Sequence, residues 1–191
     1  MPTIGILGLQ GCCVPHERKF AALGVATRRI LYPADLEAVQ GLVMPGGEST
    51  TMLKTATPGL WDAVRAFAAR RPVWGICAGC ILLATGVSHP TQFSLALMDL
   101  DVVRNGYGAQ NESFITKLTV RLGTAPGEHE CVFIRAPVIS RVGVGLEVLA
   151  EQGGNPVMVA SPRHLATTFH PELAAGDAFH RFFVARVAAG E

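Results

Sequence analysis

The chain has 191 residues, of which 49% are hydrophobic and 16% are charged, and its formal net charge is +1. This length predicts a single domain over residues 1–191, because two independent cores would need more chain. The near-neutral charge argues against nucleic-acid binding, which usually needs a concentrated basic face, and the high apolar content argues against disorder.

The amino terminus enters an apolar segment without a basic leader, so it resembles a core strand more than a signal peptide. No apolar run approaches the ~20 residues of a membrane-spanning helix. We therefore expect a cytoplasmic protein without a membrane partner. The five cysteines are an odd number without a framework spacing, so we expect no structural disulfides.

The first two-thirds of the chain alternates short β-branched runs with helical patterns, which is typical of an α/β domain with a mainly parallel sheet. The predicted elements, in chain order, are strand 3–9, helix 14–23, strand 26–31, a short helix at 35–39, strand 41–44, a helix capped by Ser49 or Thr50, helix 58–69 and strand 72–76. Leu60, Val64 and Phe67 have helical spacing, so we expect them on the buried face of helix 58–69.

The later part of the chain is different, because short strands are separated by turns rich in glycine and proline. These strands are predicted at 102–104, 114–122, 131–134, 146–149 and 157–160, followed by a core strand at 165–169 and a closing helix at 177–189. We predict a three-layer α/β fold with a mainly parallel twisted sheet, helices on both faces and an antiparallel extension of that sheet.

The segment GICAG at residues 75–79 matches the nucleophile elbow, with Cys77 in place of serine. A sharp strand-to-helix turn exposes the central side chain, and helix N–H groups favour a thiolate and a developing oxyanion. Two other interpretations stay open. Cys77 can be an ordinary buried cysteine, or it can form a C-x-x-C redox pair with Cys80. A zinc site is not favoured, since no second C-x-x-C or close histidine pair supplies further ligands.

His170 is the best candidate among six histidines for the base that a cysteine nucleophile needs. It follows the apolar strand at 165–169, and parallel strands end at the edge of the sheet where such folds place their sites. Glu172 is two residues further on, and side chains two apart on an extended segment share a side. The pattern therefore predicts a triad of Cys77, His170 and Glu172, although a surface His-Pro-Glu stretch alone would not require one.

Longer motifs narrow this interpretation. They are IGILGLQG at 4–11, LVMPGGESTTM at 42–52, RNGYG at 104–108, FIRAP at 133–137 and FHPEL at 169–173. Over nearly the whole chain, the sequence resembles the glutaminase (PdxT or SNO) family of pyridoxal 5'-phosphate synthase subunits. These are class I, triad-type glutamine amidotransferases with the α/β fold predicted above.

The resemblance implies that Cys77 attacks the side-chain amide of L-glutamine, with His170 as the base and Glu172 orienting it. It also implies that Gly47 and Ala78 donate backbone N–H groups to the oxyanion. The implied glutamine-binding residues are Gly47, Glu48, Ser49, Arg104, Ile134 and Arg135. The ammonia would pass to a separate synthase subunit in a large hetero-oligomer, and no cofactor or metal is expected.

Four positions depart from the family pattern. Ile76 stands where threonine is usual, Ala109 where arginine is usual, Pro15 where glutamate is usual and Cys80 where leucine is usual. Because the triad is intact, a glutaminase is the leading hypothesis. A weakly active or inactive regulatory module on the same fold is the second hypothesis, and a thiol-redox protein is the third.

Overall fold

The computed structural model describes residues 1–104 and 113–190, so Ala109 and most of the RNGYG motif lie outside the described residues. Its strands are β1 (Ile4–Leu7), β2 (Thr27–Ile30), β3 (Gly41–Met44), β4 (Val73–Ile76), β5 (Ala84–Ser88), β6 (Met98–Val103), β7 (Phe114–Arg121), β8 (Pro126–Phe133), β9 (Val138–Val142), β10 (Glu147–Gln152), β11 (Asn155–Ala160) and β12 (Leu165–Thr167). Its helices are α1 (Cys13–Ala22), a 3-10 helix (Pro33–Ala38), α2 (Ser49–Thr55), α3 (Leu60–Ala68), α4 (Ala78–Leu83) and α5 (Ala178–Ala188).

The main sheet has seven strands in the order β10-β11-β12-β4-β3-β1-β2. Neighbours from β12 to β2 are parallel, and β10, β11 and β12 pair antiparallel. Leu42 and Met44 belong to one hydrophobic cluster and Val43 to another, because successive side chains of a strand point to opposite faces. The sheet therefore separates two cores, and the predicted three-layer, mainly parallel α/β fold is confirmed.

The second half of the chain departs from the prediction. Only β10 and β11 extend the main sheet, whereas β5, β6 and β9 form a three-stranded sheet and β7 and β8 form a separate hairpin. Strands β5 and β9 were not predicted from the sequence. Exposed and partly buried residues alternate along much of β7, which is typical of a hairpin with one solvated face.

The predicted cap of α2 is wrong, because Glu48 occupies that position and accepts from the backbone N–H groups of Thr50 and Thr51. Ser49 is buried inside the helix start, and its hydroxyl donates to Gln92 Oε1 at 2.9 Å. The Ser49 hydroxyl is therefore occupied by Gln92, and the Glu48 carboxylate caps the helix. Glu48 is thereby fixed at the edge of the sheet where β3 ends.

Helix α3 begins at Leu60, two residues later than predicted, since Gly59 adopts a left-handed φ of 77° just before it. The predicted apolar face is confirmed, with Leu60, Val64 and Phe67 all buried. Among the described residues, we find no helix with the length and apolar character needed to cross a membrane.

Candidate active site

Cys77 lies at the turn between β4 and α4, with φ 48° and ψ −101°. Its N–H donates to Thr167 O at 2.8 Å, and its carbonyl accepts from Ile81 N at 3.2 Å. A non-glycine residue in such a backbone conformation costs about 1–3 kcal/mol, which the surrounding structure must offset. The turn therefore has the strained geometry of a nucleophile elbow, with the Cys77 side chain facing a cavity.

Two glycines allow the close packing around this turn. A Cβ on Gly79 would collide with the backbone oxygen of Met44, and a Cβ on Gly46 would collide with the His170 ring. Glycine at both positions lets α4 lie against the end of β3 and lets the imidazole lie directly on the loop after β3.

The His170 imidazole lies between sulfur and carboxylate groups. Its Nδ1 is 2.7 Å from Glu172 Oε1, and the thiols of Cys77 and Cys12 line the same cavity as the ring. The predicted contact with Glu172 is present, but its predicted cause is wrong. Strand β12 ends at Thr167, and the hydrogen bond from Leu173 N to His170 O makes a turn that brings Glu172 to the ring.

The electrostatic setting of His170 favours its protonated form. Burial by itself lowers the pKa of His170, but hydrogen bonds with Cys12, Cys77 and Glu172 outweigh that effect and raise the pKa to about 12. A protonated imidazole next to a cysteine stabilises the thiolate, which is the nucleophilic form. The pair of Cys77 and His170 is therefore suited to nucleophilic chemistry at neutral pH.

Behind Glu172 lie two further buried histidines. Glu172 Oε2 is 3.5 Å from His16 Nε2, and His16 Nδ1 is 2.9 Å from His180 Nε2. Burial lowers the pKa of His16 well below its usual value and lowers that of His180 to about 3, so both are neutral at pH 7. The ring of Trp74 packs edge-on against both imidazoles.

The tautomers of these histidines follow from proton counting. A neutral imidazole has one N–H donor and one acceptor, so a His16 that donates from Nε2 toward Glu172 must accept at Nδ1. His180 then donates from Nε2 to His16. The two neutral rings thus line up behind the carboxylate without adding a positive charge, and the 3.5 Å contact between His16 Nε2 and Glu172 Oε2 falls short of hydrogen-bond geometry.

A cavity of about 330 Å³ opens in front of the Cys77 thiol. It is lined by Gln10, Cys12, Gly47, Glu48, Ser49, Cys77, Ala78, Ile81, Arg104, Ile134, Arg135, Pro137 and His170. All the residues predicted for the site line this cavity, except Glu172, which is buried behind His170. The structure thus brings the predicted residues together, and their individual roles stay predictions.

The cavity wall carries both signs of charge. Arg104 Nη2 is 3.2 Å from Glu48 Oε1, and the pKa of Glu48 is lowered to about 2, first by the Thr50 hydroxyl and then by backbone N–H groups. Arg135 is exposed and has a positive φ of 43°. A carboxylate and two guanidinium groups around one cavity suit the charged ammonium and carboxylate groups of an amino acid.

The comparison with known proteins decides the family. The sequence matches the SNO glutamine amidotransferase family over residues 6–189. This chain belongs to that family. It is 41% identical to the pyridoxal 5'-phosphate synthase subunit PdxT of Solibacter usitatus, covering 98% of this chain and 100% of that protein. It is 44% identical to the PdxT subunit of Deinococcus radiodurans, covering 95% of each. A crystal structure of a glutamine amidotransferase, 39% identical, has a TM-score of 0.90 and covers 97% of this chain and 98% of that one.

Cys80, one of the departures from the family pattern, lies in the protein core. Cys80 is fully buried in α4, and burial raises its pKa, so its thiol packs like a small apolar side chain. All five cysteines are free, which agrees with the prediction of no disulfides. Because Cys80 is inaccessible and its thiol is held protonated, the C-x-x-C redox interpretation loses its chemical basis.

Three residues at the site of this amidotransferase were not predicted from the sequence. Gln10 Oε1 accepts from Glu48 N at 2.6 Å, Cys12 contacts His170, and His16 lies beside Glu172. A signal for His16 existed, since its helical spacing from Cys13 and Phe20 puts it on the buried face of α1. For Gln10 and Cys12, the signal was their place after β1, at the same sheet edge as the ends of β3 and β4.

Proposed function

We propose that residues 1–191 form one glutaminase domain that hydrolyses L-glutamine to L-glutamate and ammonia. The ammonia would then serve a separate synthase subunit in the formation of pyridoxal 5'-phosphate. The observation that carries this proposal is the alignment of Cys77, His170 and Glu172 at one cavity. A strained thiol, an imidazole and a buried carboxylate in this order are suited to acyl transfer through a covalent intermediate.

In the first step, the Cys77 thiolate attacks the side-chain amide carbon of glutamine. The C–N bond breaks, and the protonated His170 gives its proton to the departing nitrogen, which leaves as ammonia. The product on the enzyme is a glutamyl thioester. The raised pKa of His170 supports this step, because the imidazole holds the proton until the amide nitrogen becomes basic.

In the second step, water attacks the thioester carbon while His170, now neutral, accepts a proton from the water. The C–S bond breaks, glutamate leaves, and the Cys77 thiolate and protonated His170 are restored. The second proton of the water leaves with the new γ-carboxyl group and passes to the released ammonia or to solvent, and the chain's own residues handle the other transfers, so the reaction requires no cofactor.

The remaining residues position the substrate. Glu172 holds the Nδ1–H of His170 and fixes the ring orientation. The backbone N–H groups of Gly47 and Ala78 would stabilise the oxyanion of each tetrahedral intermediate, a contribution worth about 2.7–4 kcal/mol per donor in comparable sites. The glutamine head group would be held by Gly47, Glu48, Ser49, Arg104, Ile134 and Arg135.

The partner is the synthase subunit. The relatives are subunits of pyridoxal 5'-phosphate synthase by name, and this chain covers 95–100% of their length. We therefore propose that this chain docks on a synthase subunit in a hetero-oligomer and releases ammonia there. The residues at the carboxyl edge of the main sheet, around the cavity, are the surface through which ammonia would have to leave.

The test is an assay of glutamate and ammonia release by the purified chain, with and without the cognate synthase subunit. We expect slow turnover by the chain alone, faster turnover after mixing, and none above background for Cys77→Ala. Cys131→Ala is the matched control, since Cys131 is buried in strand β8 and does not line the cavity.

The outcomes separate the two parts of the proposal. Undiminished glutamate release by Cys77→Ala would reject the glutaminase mechanism. An unchanged rate on mixing would reject the docking part alone. Binding of the synthase without any glutamate release would favour the regulatory module instead.

A further inference from the structure

Cys12 is a thiol in the site that the proposed reaction does not use. It precedes α1, its N–H donates to Gly46 O at 3.0 Å, and its sulfur lies within 4.8 Å of a ring nitrogen of His170. The residue is partly exposed and lines the same cavity as Cys77. A second accessible sulfur close to the imidazole therefore has a path to solvent through that cavity.

Cys12, His170 and Glu172 each offer one donor atom, and these three atoms lie within 4.8 Å of one another. Around a tetrahedral zinc ion, sulfur, nitrogen and oxygen ligands lie about 3.3–3.6 Å apart, given the usual metal–ligand bond lengths. To share an ion, His170 Nδ1 and Glu172 Oε1, now 2.7 Å apart, would have to separate by about 0.7 Å, and the Cys12 sulfur would have to approach them by rotamer adjustment.

We propose that Cys12, His170 and Glu172 form a binding site for a thiophilic divalent cation, with Zn²⁺ as the best match, and that an ion bound there blocks the glutaminase. The site has three ligands from two segments of the chain: Cys12 and His170 line the cavity from which an ion would enter, and Glu172 lies behind them. The binding part stands on geometry alone, and the blocking part rests on the proposed function.

The donor set favours Zn²⁺ over Mg²⁺ or Ca²⁺, because thiolate and imidazole are softer ligands than the oxygens that those ions prefer. A Cys12 thiolate and the Glu172 carboxylate together carry two negative charges, which balance the charge of the ion. This neutrality matters, because an uncompensated charge is costly to hold in a buried site.

Blocking would follow directly from the ligand set. A nitrogen of His170 that binds the ion cannot carry a proton, and a Glu172 oxygen that binds it no longer orients the ring. The imidazole then neither protonates the leaving ammonia nor accepts a proton from water. Inhibition is therefore expected even though the Cys77 sulfur is not a ligand.

The test uses Co²⁺ as a spectroscopic probe on the full chain, in a phosphine reductant and without oxygen. We expect one equivalent of Co²⁺ to produce a thiolate-to-cobalt charge-transfer absorption, and Zn²⁺ to displace it. Cys12→Ala should lose the absorption and bind Zn²⁺ more weakly by more than the roughly 10- to 100-fold that loss of an outer-shell partner costs. Cys77→Ser and Cys13→Ala should keep both properties, and circular dichroism of each variant checks the fold.

An absorption that survives in Cys12→Ala but disappears in Cys77→Ser would overturn the proposal, since the nucleophile would then be the ligand. Unchanged Zn²⁺ affinity in Cys12→Ala would overturn it as well. For the blocking part, the wild type, Cys12→Ala and Cys13→Ala are assayed with and without Zn²⁺, and the ratio of the two rates is compared. We expect a large ratio for the wild type, reversed by a chelator, and a ratio near one for Cys12→Ala. A chain without any glutaminase activity still gives the spectroscopic result, so the two proposals fail independently.

Discussion

The two sides of the His170 imidazole are built in opposite ways. On one side, the sulfurs of Cys77 and Cys12 border a cavity of about 330 Å³ that is open to solvent. On the other side, Glu172, His16 and His180 are sealed from water, and none is more than 3% exposed. Substrate and water can reach only the first side, whereas the second side is arranged before any substrate arrives.

The charges on the two sides differ as well. Hydrogen bonds with sulfur and carboxylate raise the pKa of His170 to about 12 against the effect of burial, whereas burial lowers the pKa values of His16 and His180. One protonated ring therefore faces the cavity, and two neutral rings support the carboxylate. A sealed, low-dielectric environment makes the Glu172 hydrogen bond stronger than the same contact in water.

The largest expected effect comes from replacing the buried carboxylate of Glu172. In Glu172→Gln, a neutral amide replaces the carboxylate at nearly the same size, so the imidazolium loses its charged partner and its fixed orientation. We expect kcat for glutamate release to fall roughly 10³- to 10⁴-fold, as for removal of the third group of other triads. Steady-state kinetics at saturating glutamine, with the synthase present, measures this.

Glu151→Gln is the matched control, since Glu151 is exposed on strand β10. Its kcat should equal that of the wild type. If a folded Glu172→Gln variant loses less than tenfold in kcat, the buried carboxylate is dispensable. The buried side of His170 would then not support catalysis as we expect.

The next effect comes from one layer deeper, at His16. In His16→Asn, the donor beside Glu172 Oε2 is shortened and the carboxylate is left less well held. Because a buried charged group that loses a polar neighbour is destabilised by about 1–3 kcal/mol, we expect kcat to fall roughly 10- to 100-fold. The pH profile of kcat should also shift, since the Glu172 charge influences the pKa of His170.

His164→Asn supplies the control for burial itself. His164 is also buried, but its Nδ1 accepts from Val73 N at 3.2 Å at the opposite end of strand β4 from Cys77. This variant should leave kcat and its pH profile unchanged. If both variants reduce kcat equally, general loss of packing explains the result and the contact with Glu172 does not.

On the open side, Arg135→Ala should affect binding more than chemistry. Its guanidinium lines the cavity and faces no reacting bond in the proposed mechanism. Loss of a charge-assisted contact with the glutamine carboxylate should raise KM roughly 10- to 100-fold with a smaller change in kcat. Arg121→Ala, which removes an exposed arginine paired with Glu147, is the control. A fall in kcat at constant KM would contradict this prediction, because it would mean that Arg135 contributes to the chemical step and not to substrate binding.

The parts of the fold that the sequence predicts well are those with strong local patterns. Strand β3 was predicted with its observed bounds, because four apolar residues are followed by a glycine turn. The elbow at Cys77 was found for the same reason, since its glycines mark a tight turn. By contrast, β5 begins at Ala84 directly after α4, without any residue that signals a break.

Long-range pairing is what the local pattern lacks. The alternation in β7 predicts a strand, but only the folded chain shows that it pairs with β8 alone. Likewise, nothing near His16 in the sequence indicates Glu172 as its neighbour. The site residues on motifs were therefore predictable, and those that pack behind the motifs were not.

The smallest effect concerns acid stability and tests how burial acts on a histidine away from the site. Burial, helped by Arg163 and Arg186, lowers the pKa of His164 from 6.5 to about 4. Between pH 6.5 and 4 the unfolded chain binds a proton at this residue and the folded chain does not. The stability contribution is therefore complete above pH 6.5 and is lost as the pH falls toward 4, at up to roughly 1.4 kcal/mol per pH unit.

His164→Asn keeps an acceptor for Val73 N but cannot titrate, so urea unfolding at pH 7, 6, 5 and 4 should show a flatter decline than in the wild type. The remaining slope belongs to the other groups whose pKa values the folded state lowers, among them His16, His180, Glu48 and Asp35. Parallel slopes in the two proteins would mean that His164 is solvated enough to titrate normally in the folded state. Neutral burial would then be confined to the histidines behind the triad, which makes the contrast between the two sides of His170 sharper.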